Sequence, residues 1–268
     1  MAATANEVGI PFGGHVPDEV GLLRALEAGQ VSIDHLDNYV EALVPDDAPR
    51  GDAPGIDGLG ALLDVVDETR IPELVRATRA SGAWVVPTMV LWETAFYGQQ
   101  SSAELRGERP EVRYMPPEMV EQWDRAVDER LAASDQATNR RISDLRRSIF
   151  SALHEGGAPL LLGTDSPQIF SVPGFAMHRE MALWVELGMS PYEVLETGTR
   201  RAAEYFDATD DFGSVAVGHR ADLLLLNANP IEDIANVSSR GGVMVNGRWM
   251  PEAQIQERLA AIATTYGN

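Results

Sequence analysis

Leu160–Leu161–Leu162–Gly163–Thr164–Asp165–Ser166–Pro167 follows Ala158–Pro159 and closes on small and turn-forming residues. So short and continuous an apolar run reads as a strand buried on both faces, as in a parallel sheet, rather than as an amphipathic helix. The Asp165 carboxylate then stands where a buried strand ends, a place where turn or capping duty is the ordinary role. Two earlier stretches repeat the arrangement with histidine. Gly9–Ile10–Pro11–Phe12–Gly13–Gly14–His15 reads as a helix stop and a short strand ending in His15, and Val31–Ser32–Ile33–Asp34–His35 as a strand ending in His35. Ala83–Trp84–Val85–Val86–Pro87–Thr88 is a further buried strand.

Helical patterns separate these strands. One opens at Pro17–Asp18–Glu19–Val20 and runs through Leu22, Ala25 and Leu26 to Gly29, and others cover Asp64–Val65–Val66 and Ile71–Thr78, the last stopped by Ser81–Gly82. Asp37 to Gly60, rich in Asp, Pro and Gly, reads as an extended loop. Leu91 to Gly157 is a long insertion, irregular over Tyr97–Pro117, then helical from Glu118 and again over Arg140–Leu153. It is either a lid or a peripheral helical hairpin with a solvated face. Gly174–Trp184 is helical, and Ser190–Pro191–Tyr192–Glu193 is a capping box launching a helix to Phe206. Beyond Gly213, Ser214–Gly218, Ala221–Leu226 and Gly242–Trp249 around Asn246–Gly247 are strand-like, with a last helix from Pro251.

Alternation of this kind predicts a parallel sheet with right-handed crossovers, open or closed into a barrel. Side chains at the carboxyl ends of such strands converge, so His15, His35 and Asp165 are expected at one mouth. Imidazoles and a carboxylate on rigid strand ends are what a catalytic divalent metal needs, with a position left open for water. The alternative for each histidine is a core ring hydrogen-bonded to backbone.

Composition narrows the chemistry. A 268-residue chain with 44% hydrophobic residues can bury a sizeable core. Its net charge of −20 argues against a nucleic-acid backbone or an anionic membrane surface as partner. There is no cysteine, hence no disulfide, thiolate ligand or cysteine nucleophile. All 21 basic residues are Arg, so Schiff-base chemistry and a carbamylated-lysine bridge are absent from this chain. No run approaches the roughly 18 apolar residues of a membrane span, and the first residues lack a signal-peptide pattern, which makes a cytoplasmic location the default expectation.

His15 after Gly-rich strand residues, Ser32–Ile33–Asp34–His35, Gly163–Thr164–Asp165 and Gly213–Ser214–Val215–Ala216–Val217–Gly218–His219–Arg220–Ala221–Asp222–Leu223 together resemble the metal-dependent amidohydrolase superfamily, nearest its imidazolonepropionase-like and prolidase-like branch. The last stretch is the most specific, and the resemblance covers the C-terminal part of such enzymes. It implies an α/β fold: the C-terminal part of a TIM-type (β/α)8 barrel of about four strand–helix units over residues 1–212, with the helical insertion at about 91–157, then a small β-sandwich-type tail and terminal helix over 213–268. It also implies His15, His35 and Asp165 as metal ligands and Asp165 as the base that takes the proton of the metal-activated water attacking an amide, lactam, dipeptide or ester carbonyl. The implied cofactor is a divalent metal, Zn first, with Mn, Fe or Ni as alternatives, and the implied partner a small-molecule substrate.

The family's His-x-His pair and bridging Lys or Glu have no counterpart here, since the chain contains no His-x-His and no lysine. The expectation is therefore a truncated or split enzyme, completed as a homo-oligomer or by an N-terminal half. The competing function is a non-catalytic remnant or binding module that keeps the fold without a full metal site. His178, Asn38 and Tyr114 are candidate substrate contacts, each with a bland alternative: a surface helical histidine, a turn residue and a packing aromatic.

Overall fold

The computed structural model describes residues 2–48 and 58–267. In chain order the elements are α1 (Ala2–Val8), α2 (Leu22–Glu27), β1 (Ser32–Asp34), α3 (Leu59–Leu62), α4 (Ile71–Ser81), β2 (Trp84–Val86), α5 (Met89–Leu91), α6 (Ser102–Glu108), α7 (Pro117–Ala133), α8 (Gln136–Glu155), α9 (Phe175–Glu186), α10 (Pro191–Thr197), α11 (Arg200–Tyr205), β3 (Leu223–Leu226), β4 (Arg240–Val245), β5 (Arg248–Pro251) and α12 (Glu252–Thr265). They divide into two compact units, residues 1–99 with 133–161 and residues 100–132 with 162–268. No described helix is long and apolar enough to cross a membrane.

In the first unit β1 and β2 pair in parallel, Ser32 opposite Trp84 through Asp34 opposite Val86. Single parallel bridges extend the ladder on both sides, Gly14 to Ile33 and Val85 to Leu160. Four chain segments thus lie side by side in sequence order, as strand–helix alternation requires. Ile33 and Val85 are fully buried at its centre. The outer two segments are shorter than the sequence suggests. The Leu161 N–H donates to the Val85 carbonyl, after which the chain leaves the ladder, and the Gly14 segment makes one bridge. Gly82, left-handed at φ 73°, ends α4 as Ser81–Gly82 predicted. Pro17–Val20 forms a turn ahead of α2 rather than its first residues, and Asp64–Val66 is a turn following α3. Of the loop expected between Asp37 and Gly60, residues 49–57 lie outside the described residues.

The second unit holds a cluster that sequence periodicity did not reveal. Leu105, Met115, Val120, Trp123 and Val127 pack with Phe170 and Val172, so helices of the insertion share a core with the segment that follows Asp165. The region read as irregular contains α6, whose Ser101 accepts from the Glu104 N–H while Glu104 accepts from the Ser101 N–H. Ser190 and Glu193 form the same box at the start of α10, but that helix stops at Gly198 and restarts as α11 instead of running unbroken to Phe206. β3, β4 and β5 form an antiparallel sheet in that order. Ser214–Gly218 is not a strand: Val215 and Val217 point into solvent between Gly213 and Gly218, both at positive φ. An alternating pattern without a partner strand has no ladder to join.

Candidate active site at the histidine pair

The parallel register puts the ends of three neighbouring segments together. The Gly14–Ile33 bridge carries His15 alongside β1, and the next residue after β1 is His35. This approach depends on Gly13, where an added Cβ would lie 2.2 Å from Ser32 Oγ. The Gln30 side chain ties both segments by donating to the carbonyls of Gly14 (2.8 Å) and Ser32 (3.0 Å). The His15 and His35 ring centroids are 4.7 Å apart. His15 Nδ1 meets Asp37 Oδ2 at 2.8 Å, and the same oxygen accepts from the Val16 N–H at 3.1 Å. A carboxylate at Nδ1 selects the Nδ1–H tautomer, which leaves the lone pair on Nε2. His35 Nδ1 meets Thr88 Oγ1, at the end of the β2 segment, at 2.6 Å. Asn38 donates from Nδ2 to the Val16 carbonyl at 2.9 Å, fastening the turn after β1 to the turn after His15.

This geometry is held under strain. His35, Leu36, Asn38 and Thr88 all have left-handed backbone, at φ 56°, 58°, 61° and 44°. For residues other than Gly that conformation costs about 1–2 kcal/mol each, less for Asn, and persists only where surrounding contacts impose it.

Beside the pair lies a cleft of about 210 Å³ whose walls include His15, Asp37, Glu41, Trp92 and Arg146. Burial is the main cause that pushes the Glu41 carboxyl up to about 7, with the charge of Asp18 adding to it and that of Arg146 opposing.

The remaining sequence candidates lie in the second unit. Asp165 is exposed at φ 53°, in a loop pinned by hydroxyls: Thr164 Oγ1 to Ser166 Oγ and Ser166 Oγ to Ser171 Oγ, each 2.9 Å. Tyr114 stacks on Phe175 with ring centroids 5.5 Å apart, and its hydroxyl accepts from Arg113 Nη2. His178 lies one turn along α9 from Phe175 and is half-buried, not the exposed helical histidine of the bland reading. Burial first, then the charge of Arg240, draws its pKa down. His15, His35 and Asn38 are therefore brought together in one unit. Sequence reasoning missed Thr88, Glu41 and Arg146, which lie in other segments and carry no local motif. Asp37 was visible as a polar residue just past His35, but not as the partner of His15.

A profile of the Amidohydrolase family matches residues 2–250. The chain belongs to the amidohydrolase family. Among curated proteins no sequence match was found. Among solved structures it is similar to bottromycin amidohydrolase, with a TM-score of 0.68 at 23% identity over 99% of this chain and 55% of that one. It is also similar to a putative prolidase from Bifidobacterium longum (TM-score 0.55, 23% identity, 98% and 53% covered). A third is a Xaa-Pro dipeptidase with methionine bound in its active site (TM-score 0.55, 20% identity, 93% and 47% covered). The chain spans about half the length of these relatives. At such identities the likeness speaks to the fold, which is α/β of the TIM-barrel type.

Amidohydrolases generally use divalent metals, and the histidine pair of this one fits that use as two donors of a site. Ligating histidines characteristically give their second ring nitrogen to a carboxylate or other acceptor, as Asp37 and Thr88 provide here. Among the described residues no group of three or more His, Asp or Glu side chains is placed to hold an ion.

Proposed function

We propose that this amidohydrolase cleaves the C–N bond of a small-molecule amide, lactam or dipeptide, or a related ester, with His15, His35 and Asp165 as ligands of a divalent metal. Zinc is the first candidate, with Mn, Fe or Ni as alternatives. The observation that supports this reading is the pair of imidazoles 4.7 Å apart, each ring oriented through Nδ1. When bound, the ion supplies Lewis-acid polarisation and a water of lowered pKa.

The chain's own residues do the rest. Asp37 fixes the tautomer and direction of the His15 ring, and Thr88 fixes the direction of the His35 ring. Asp165 accepts the proton of the attacking water on its carboxylate and delivers it to the leaving nitrogen. The cleft edged by Trp92 is the proposed substrate pocket of the first unit, and His178, Asn38 and Tyr114 are the proposed substrate contacts. In this reading residues 1–212 are four strand–helix units of a barrel, with the insertion at about 91–157, and residues 213–268 form the β-sandwich-type tail. The remaining donors come from outside these 268 residues, from an N-terminal half or from a partner subunit in a homo-oligomer.

The test is hydrolysis of a panel of dipeptides and N-acyl amines by the purified protein. Activity is expected to disappear on chelation and return with Zn²⁺ or Mn²⁺. The lack of a three-donor group among the described residues favours a second reading, a binding module that keeps the fold. Protein that stays inactive and metal-free after zinc or manganese addition would establish that reading in place of the first.

A further inference from the structure

Arg146, on α8, is 3% exposed, a burial that charged side chains tolerate when they are paired. Among the described residues it makes no ion pair. Asp37 and Glu93, whose charges reach it, are engaged elsewhere, Asp37 with His15 and Glu93 with Arg147, while Glu41 acts on it only at a distance. Its guanidinium lies 4.3 Å above the Trp92 ring, and its Nε has no hydrogen-bond partner. Its one polar contact is specific: Nη2 donates to the carbonyl of His35 at 2.6 Å.

A buried ion with so little compensation is a poor source of stability, and apolar replacements at such sites are often neutral or stabilising. What Arg146 does provide is a fixed donor to the carbonyl of His35, the first residue of the left-handed run His35–Leu36, whose own N–H donates to the Val86 carbonyl at 2.8 Å. Such a backbone persists only where surrounding contacts hold it. The flat guanidinium is itself held by the Trp92 face, and that indole lies 6.2 Å from the His35 ring. Carbonyl, ring and platform thus share one support. We infer that Arg146 is the positioning residue of the histidine pair: by holding the His35 carbonyl it sets the turn that presents the His35 ring to Thr88 and to His15. Its consequence for metal affinity rests on the proposed ligand role of the pair; its consequence for ring placement does not.

Two readouts on Arg146→Met and Arg146→Lys test this, with thermal midpoints measured alongside. In metal-free protein labelled at histidine, Arg146→Met is expected to fold with a midpoint near wild type, to shift the His35 ring resonances and to lose the Overhauser contact between the His15 and His35 rings. His154, His178 and His219 should stay unmoved. Zn²⁺ affinity should fall about 10–100-fold, the usual effect of losing an outer support of a ligand. Arg146→Lys, which keeps a donor within reach of the carbonyl, should recover most of both. A folded Arg146→Met with the ring contact intact would overturn the inference, and Arg146→Gln serves the same comparison if the Met variant does not fold. Wild-type protein that binds no zinc would contradict the ligand role alone, because the ring contact still decides the part played by Arg146.

Discussion

Replacing Asp165 by Asn is expected to lower kcat for amide hydrolysis by about 10²–10⁴-fold, the contribution typical of a positioned general base. The substitution is a clean probe for a structural reason. Asp165 has a left-handed backbone at φ 53°, and Asn is among the few residues that adopt that region readily. The Thr164, Ser166 and Ser171 hydroxyls that pin the loop are left in place by the substitution. Steady-state rates of wild type and variant at equal metal loading measure the effect. Unchanged turnover would remove Asp165 from the chemistry even where a metal is bound.

The second large effect is on stability. Burial raises the Glu41 carboxyl from 4.5 to about 7, so the folded protein holds this proton more tightly than the unfolded chain. The stabilisation is fully present below the unfolded pKa and is lost as pH rises through about 7. A shift of this size corresponds to about 3 kcal/mol between pH 4 and pH 9. Glu41→Gln, which keeps the shape and cannot ionise, should abolish that component. Urea midpoints of both proteins across this range isolate it from other titrating groups, His178 among them. Parallel curves would show that Glu41 ionises without penalty.

Much of the fold could be read from local chemistry, and the exceptions have identifiable causes. Helix punctuation was legible where the side chain acts on its own backbone, as in the Ser190–Glu193 box and the Gly82 stop. Ser101–Glu104 carries the same box, yet α6 went unread because it buries only Ser102 and Leu105 and so shows almost no apolar period. The opening leucine run, read as a buried strand, bridges to Val85 at Leu160 but is a strand only at its start. Leu162 turns toward Gly198, where an added Cβ would sit 3.1 Å from its Cδ2. No sequence pattern separates a leucine that continues a ladder from one that packs on a helix end. At the site, the two histidines announced themselves by position, each at the end of a strand-like run. Their supports did not, because Thr88 and Arg146 lie 53 and 111 residues from His35 and meet it through tertiary structure alone.

The central claim is that His15 and His35 act together as metal ligands. Zn²⁺ titration of the full chain by calorimetry, wild type against His15→Ala and His35→Ala, tests it most directly. Saturable binding in wild type that is lost in each single variant, with thermal midpoints otherwise preserved, is the predicted result. Equal zinc affinity in all three proteins would contradict it.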